Sequence, residues 1–329
     1  MAFDRLIDKI AEMQNPTVAG LDPKLDYVPE FIKEECFAKY GKTLEGAAAA
    51  LFEFNKALID ALYEVVPAIK PQAAYYEMYG WQGVKALADT IAYAKSKGMF
   101  VITDGKRNDI GTTMEAYAAA HLGSTTVAGE EVEAFGADAL TVNGYLGTDG
   151  IKPLVNICKT GDKGIFVLVK TSNPSSGELQ DKKLDDGTTV YEQMGKMCEE
   201  WGTELEGKYG YSGVGAVVGA TYPEQLAEMR AKCPHTFFLV PGYGAQGGKG
   251  ADLVNYFNED GLGAQGGGAN DVKNAFDENG LGAIINSSRG IMCAWKKQGL
   301  TENDFAKAAY NEAVRMRDEI IGCIGKIKK

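Results

Sequence analysis

Short runs of aliphatic and β-branched residues recur along this chain, separated by stretches with helical periodicity. The runs predict strands at Thr17–Asp22, Ala68–Pro71, Met99–Asp104, Ala139–Asn143, Gly164–Lys170, Gly215–Gly219, Phe237–Val240 and Gly282–Asn286. Between them, Leu44–Val66, Trp81–Lys97, Met114–Phe135 and Val190–Tyr209 are each long enough for a helix. Most strands are apolar at consecutive positions, the pattern of a parallel sheet covered on both faces by helices. Eight strand–helix units predict a single-domain (β/α)8 barrel over residues 1–329. A doubly wound open sheet is the alternative, weakened because no G-x-G-x-x-G follows the first strand.

Polar residues stand where the strands stop. Asp22 ends the first, Lys70 the second, and Asp104 with Lys106 the third. Thr171 and Ser172 follow the fifth, Pro241-Gly-Tyr-Gly the seventh, and Ser287-Ser-Arg289-Gly290 the eighth. In a barrel these positions converge on the C-terminal mouth, where such folds place their chemistry. The densest cluster is Asp104-Gly-Lys106-Arg-Asn-Asp109-Ile110-Gly-Thr-Thr113. Alternation along a strand points Asp104 and Lys106 to the same side, with Asp109 beyond in the loop. Ionisable groups packed so closely shift one another's proton affinity, and such clusters mark functional sites.

The glycine-rich loop Pro241-Gly-Tyr-Gly-Ala-Gln246-Gly-Gly and Arg289 occupy the places where barrels commonly bind phosphate. Glycines let backbone N–H groups approach an anion, and an arginine can grip it with two parallel hydrogen bonds. Asn173–Gly177 reads either as a lid or as a plain turn. One irregularity interrupts the pattern: Gly244–Leu262 and Gly263–Leu281 read as a tandem duplication. Each opens Gly-Ala-Gln-Gly-Gly and closes Phe-x-Glu-x-Gly-Leu, which predicts an extra helix-sized insertion between strands seven and eight. It also leaves two candidate phosphate glutamines, Gln246 and Gln265, of which Gln246 is favoured because it directly follows the strand.

Composition narrows the function classes. The net charge of −11 argues against general nucleic-acid or anionic-membrane binding, but a few local cations can still hold a small anion. No apolar run approaches the ~20 residues that span a bilayer. Met1–Asp8 carries acids and no apolar core, so a cytoplasmic protein is expected. The six cysteines form no C-x-x-C pair and read as free thiols. Neither of the two histidines, His121 and His235, has partners at metal-ligand spacing, so no metal site is expected.

Taken together, Leu21-Asp22-Pro23, Ile69-Lys70-Pro71, Asp104-x-Lys106-x-x-Asp109-Ile110-x-x-Thr113, Lys170-Thr-Ser-Asn-Pro-Ser, Pro241-Gly-Tyr-Gly-Ala-Gln-Gly-Gly and Asn286-Ser-Ser-Arg289-Gly290 are telling. With these motifs, spread over nearly its whole length, the chain resembles the orotidine 5′-phosphate decarboxylases, in their longer bacterial branch. The D-x-K-x-x-D core alone is shared with hexulose-phosphate synthases; Ile110-Gly-Thr-Thr113 and Lys70 tip the resemblance toward the decarboxylases. The duplicated segment departs from the family pattern.

The resemblance implies cofactor-free conversion of orotidine 5′-monophosphate to UMP and carbon dioxide in pyrimidine biosynthesis. It implies Lys106 as proton donor to C6, Asp104 beside the departing carboxylate, and Lys70 and Asp109 holding Lys106 in place. Asp22 and Lys70 would reach ribose hydroxyls and Ser172 the pyrimidine edge, while Pro241, Gln246, Arg289 and Gly290 would line the phosphate end. It further implies a homodimer in which Asp109, Ile110 and Thr113 enter the neighbouring subunit's site.

The residue types suit that reaction. Without a cofactor to receive the electron pair left at carbon, a fixed cation must stabilise it and supply the proton. Neighbouring anions keep such a lysine charged. Two other readings stay open: a metal-dependent, aldolase-type sugar-phosphate enzyme resembling hexulose-phosphate synthase, and a non-catalytic barrel that binds phosphorylated ligands.

Overall fold

The apolar runs fold into eight parallel strands that pair edge to edge until the last meets the first. The computed structural model describes residues 1–243 and 268–329. In chain order the strands are β1 Thr17–Leu21, β2 Ala68–Pro71, β3 Phe100–Arg107, β4 Thr125–Val127 and β5 Glu130–Val132. They continue as β6 Ala139–Val142, β7 Gly164–Lys170, β8 Ser212–Val218, β9 Thr236–Val240 and β10 Ala283–Ser287. The closed barrel runs β1-β10-β9-β8-β7-β6-β3-β2. Its closure is fixed by Thr17 beside Ile285 on one edge and Val18 beside Ala68 on the other. The expected (β/α)8 barrel is therefore the fold.

Two cores explain why the strands are apolar on both faces. Ala19, Leu21, Ile69, Val101, Leu140 and Val167 point outward and pack under the helices. Val18, Ala68, Phe100, Ile102, Ala139, Phe166, Phe237, Leu239 and Ile284 fill the interior. That interior is closed at the N-terminal end of the strands by helix α1, Ala2–Met13, whose Phe3, Leu6, Ile7 and Ile10 join the same cluster. The Phe3 ring stacks on Phe166 at 4.8 Å and lies 5.5 Å from Phe237. Arg5 ties α1 to the barrel through Asp138 and Asp162, at 3.1 and 2.7 Å.

Helices fill the crossovers, with two, α2 Glu30–Tyr40 and α3 Leu44–Leu62, between β1 and β2. The start of α3 is set by Thr43, whose hydroxyl accepts the Gly46 N–H at 3.2 Å.

The single helix expected over Met114–Phe135 is not formed. Helix Gly111–His121 stops, and an exposed antiparallel hairpin, β4 with β5, follows it. Thr125-Thr-Val127 is β-branched, and Ala128 and Gly129 both adopt positive φ, 52° and 92°. Those angles suit a two-residue hairpin turn and are hostile to a helix. The helix expected over Val190–Tyr209 is likewise shorter, ending at Gly202 before a 3₁₀ turn, Thr203–Leu205. Of the duplication starting at Gly244, residues 244–267, with Gln246 and Gln265, lie outside the described residues. Only its last part is described, ending where the Asp277 carboxylate accepts the N–H groups of Asn279 and Leu281, each at 2.8 Å.

Candidate active site

Two residues above the hydrocarbon layer the interior changes character, and three of four inward positions become polar. Ala68 is followed on the same face by Lys70, Ile102 by Asp104, Ala139 by Thr141 and Leu239 by Pro241. These four line a cavity of about 480 Å³ together with Lys106, Leu168, Thr171, Ser172, Asn173, Gln180 and Val217.

Asp104 is the centre of the array. Its Oδ2 accepts from Lys70 Nζ at 2.6 Å, and its Oδ1 from Lys106 Nζ and from the Thr141 hydroxyl, both at 2.7 Å. The Lys70 and Asp104 side chains are only 5% and 8% exposed, whereas Lys106 is 46% exposed and opens to the cavity. Burial alone would raise the Asp104 carboxyl, but the Lys70 and Lys106 ammoniums override it and hold it well below the usual carboxylate range. For Lys70, burial works against the charge, yet Asp104 and then Asp22 push its affinity for the proton up. Asp104 is thus a carboxylate and Lys70 an ammonium over the whole neutral range. Removing one member of such a buried pair costs ~3–5 kcal/mol, because the other charge is left uncompensated.

The backbone at Lys106 is strained to make this possible. Its φ is +46°, in the left-handed region, and the β3–β6 pairing shifts register between Thr103 and Arg107. The Lys106 N–H donates to the Thr141 hydroxyl at 3.0 Å, so one threonine supports both the lysine's backbone and its carboxylate partner. Strain of this kind is held by surrounding contacts and clusters at functional positions.

A second group sits at the ends of β1 and β10. The Ser288 hydroxyl hydrogen-bonds the Asp22 carboxylate and accepts from Asn286 Nδ2 at 3.3 Å. A Cβ on Gly20 would collide with that hydroxyl, so only glycine lets the two strands' ends meet this way. Burial raises the Asp22 carboxyl, against the opposing pull of Lys70 and Ser288. Asp22 Oδ1 and Asn286 Oδ1 are buried acceptors with no donor among the described residues. Two orphaned acceptors beside a cavity suit a ligand that brings hydroxyl groups.

Of the residues singled out in the sequence, Lys70, Asp104, Lys106, Ser172 and Pro241 meet around the cavity, and Asp22 stands next to Lys70. Arg289 and Gly290 open the short helix that follows β10, with Arg289 exposed. Asp109, Ile110 and Thr113 do not line the cavity: Asp109 accepts the Ile110 N–H at 2.7 Å, and Ile110 is 51% exposed. Gln246 is not among the described residues. Sequence reasoning missed Thr141 and Gln180, and gave Ser288 a place after the eighth strand but no role. For Thr141 a signal existed, a lone hydroxyl on the inward face two residues past Ala139; for Gln180, in a loop ten residues past Lys170, none did.

The profile of the orotidine 5′-phosphate decarboxylase / HUMPS family matches residues 48–266. Among similar curated proteins, the orotidine 5′-phosphate decarboxylase of Caldicellulosiruptor bescii is 40% identical over 321 residues, 98% of each chain. That of Rhodopirellula baltica is 42% identical over 310 residues, 93% of this chain and 94% of its own. The solved Leishmania donovani OMP decarboxylase superposes with a TM-score of 0.65 at 30% identity, covering 96% of this chain and 98% of that one. With that match over most of its length and an Asp104-Lys106-Asp109 core at the mouth of its barrel, the chain belongs to the orotidine 5′-phosphate decarboxylase / HUMPS family.

Proposed function

We propose that this protein decarboxylates orotidine 5′-monophosphate to UMP in pyrimidine biosynthesis, with Lys106 as the proton donor and no metal or organic cofactor. The observation that carries the reading is the Lys106 ammonium, half exposed to the cavity and 2.7 Å from an Asp104 already held by Lys70. As the bond from C6 to the carboxylate breaks, its electron pair stays on C6. The fixed ammonium stabilises that charge and then transfers its proton to C6; water afterwards returns a proton to the amine. Asp104 stays ionised throughout and orients the donor. Asp22 and Lys70 take ribose hydroxyls, Ser172 the base, and Pro241, Gln246, Arg289 and Gly290 the phosphate end.

The shared-site dimer belongs to the same proposal. Met78, Ile110 and Tyr145 follow three neighbouring barrel strands, β2, β3 and β6, and are 62%, 51% and 77% exposed. Exposed apolar side chains after three adjacent strands suit a second copy of the chain, which would bring Asp109, Ile110 and Thr113 to its partner's cavity. The aldolase-type reading gains nothing from the geometry, because three donors already occupy the Asp104 oxygens that a divalent cation would need.

The test is loss of the ultraviolet absorbance of orotidine 5′-monophosphate on adding protein, with and without a chelator. Chelator-insensitive turnover is expected, falling at least ~10³-fold in Lys106→Ala, the scale of a lost general acid. Mixing Lys106→Ala with Asp109→Ala should restore part of the activity through hybrid dimers. Turnover that a chelator abolishes, or no recovery despite demonstrated subunit exchange, would overturn the cofactor-free and shared-site parts respectively.

A further inference from the structure

Lys170 is a buried cation that the reacting array does not use. It is the last residue of β7, its side chain is 1% exposed, and it does not line the cavity although Leu168 does. The β7–β8 pairing shifts register between Leu168 and Lys170, an irregularity of the kind that re-aims a side chain. The Lys170 ammonium donates to Asp181 Oδ1 at 2.7 Å and to the Ser176 hydroxyl at 3.2 Å. The Tyr222 and Tyr191 rings lie 5.0 and 5.6 Å from it. Ser176 and Asp181 both belong to the loop that follows β7, so this one cation clamps the loop at two points onto the end of its strand.

The residue next to Asp181 carries the clamp into the cavity. Gln180 Oε1 accepts the Thr171 backbone N–H at 2.9 Å, and Gln180 Nε2 donates to the Thr171 hydroxyl at 2.7 Å. The Thr171 hydroxyl in turn donates to Asn173 Oδ1 at 2.6 Å. The Thr171 N–H fixes the orientation of the Gln180 amide. A backbone N–H can only donate, which fixes Oε1 and hence Nε2; the hydroxyl, having accepted, has one proton to give. The Asn173 amide is left with its N–H groups as the end that a ligand can use.

Ser172, between these two, is braced from the other side. Gly219 approaches so closely that a Cβ there would lie 2.9 Å from Ser172 Cβ, and the Gly219 N–H donates to the Lys170 carbonyl at 2.8 Å.

We propose that Lys170, Asp181 and Gln180 are positioning residues for the base of the bound nucleotide. They hold Thr171, Ser172 and Asn173 so that hydrogen-bond donors face the carbonyl edge of a pyrimidine. The proposal rests on the reading of the cavity as a pyrimidine-nucleotide site. A buried ammonium is an expensive way to pack a strand end, and hydrocarbon of the same length would be cheaper. Its return is a fixed loop.

The experiment compares dissociation constants for UMP and for ribose 5-phosphate, which lacks the base, together with kcat and KM for orotidine 5′-monophosphate. The variants are Lys170→Met, Lys170→Arg, Asp181→Asn and Gln180→Ala. In Lys170→Met and Gln180→Ala the UMP constant and KM should rise about tenfold, the scale of a misplaced hydrogen bond. Ribose 5-phosphate should bind within about twofold of wild type, since its contacts lie elsewhere. Lys170→Arg should recover part of the loss. Equal weakening of both ligands, or of neither, would sink the proposal. If Lys170→Met does not fold, Gln180→Ala decides, because its side chain bonds only Thr171 among the described residues. A wild type that neither turns over the substrate nor binds UMP would overturn the parent reading, and this one with it. A wild type that does both, beside indifferent variants, overturns this one alone.

Discussion

The two ends of the barrel interior are built from the same strands and do opposite things. At the N-terminal end, Phe3, Phe100, Phe166 and Phe237 close over one another with almost no exposure. At the C-terminal end of the same barrel, Lys70, Asp104 and Thr141 surround space instead of filling it. Hydrocarbon burial stabilises the first layer at about 25 cal/mol per Å². Desolvating charges in the second roughly cancels what their mutual attraction returns. The bottom of the barrel is thus where the fold is held, and the top is where function is placed on it.

The largest effect that would sharpen this contrast comes from converting the upper layer into the lower. In Lys70→Met/Asp104→Leu, turnover of orotidine 5′-monophosphate should fall by at least ~10³-fold, since both the held cation and its orienting carboxylate are gone. Stability in urea should hold or rise, by up to ~4 kcal/mol, as hydrocarbon replaces a buried ion pair. A strongly destabilised double variant would break the comparison. The next effect is at the other end: Phe3→Ala should cost ~3–5 kcal/mol in urea denaturation and leave kcat near wild type wherever the variant is folded. A Phe3→Ala protein of unchanged stability would show that α1 covers the barrel without sealing it.

The smallest effect separates two carboxylates within the upper layer by pH. Asp104 is held below its unfolded value, so its contribution to stability is full above about pH 4 and is lost as pH falls below that. Asp22 is shifted the other way: its contribution is full below about pH 4 and is lost as pH rises through its raised folded value. Asp22→Asn should therefore melt a few degrees above wild type at pH 7, with the gap closing near pH 4. A gap that widens toward acid would reverse the assignment.

Why some of this was legible in the sequence follows from the same layering. Strands buried on both faces leave unbroken apolar runs, and Lys70 and Asp104 stood out because charge interrupts such a run only at its end. Period-two alternation placed Lys106 beside Asp104 correctly, although the strand is irregular there and Lys106 sits at positive φ. The hairpin β4–β5 was not legible, because the alanine-rich Gly111–His121 invites the helix to be read on past its end, and the positive φ of Ala128 and Gly129 that turns the hairpin is not a sequence pattern. Gln180 and the role of Ser288 escaped for a different reason. Their partners, Thr171 and Asp22, are set by how loops return in space, and no periodicity encodes that.

The seal made by α1 turns the barrel into a blind well. With Phe3 wedged among the aromatic rings at the base, the described residues pack the axis with hydrocarbon below Asp104. Whatever reaches Lys106 must come in over the mouth, and whatever forms there must go back the same way. A molecule filling the 480 Å³ above Asp104 is therefore its own stopper. By entering, it drives out the water that would otherwise solvate the charges it meets, above a floor of packed aromatic rings.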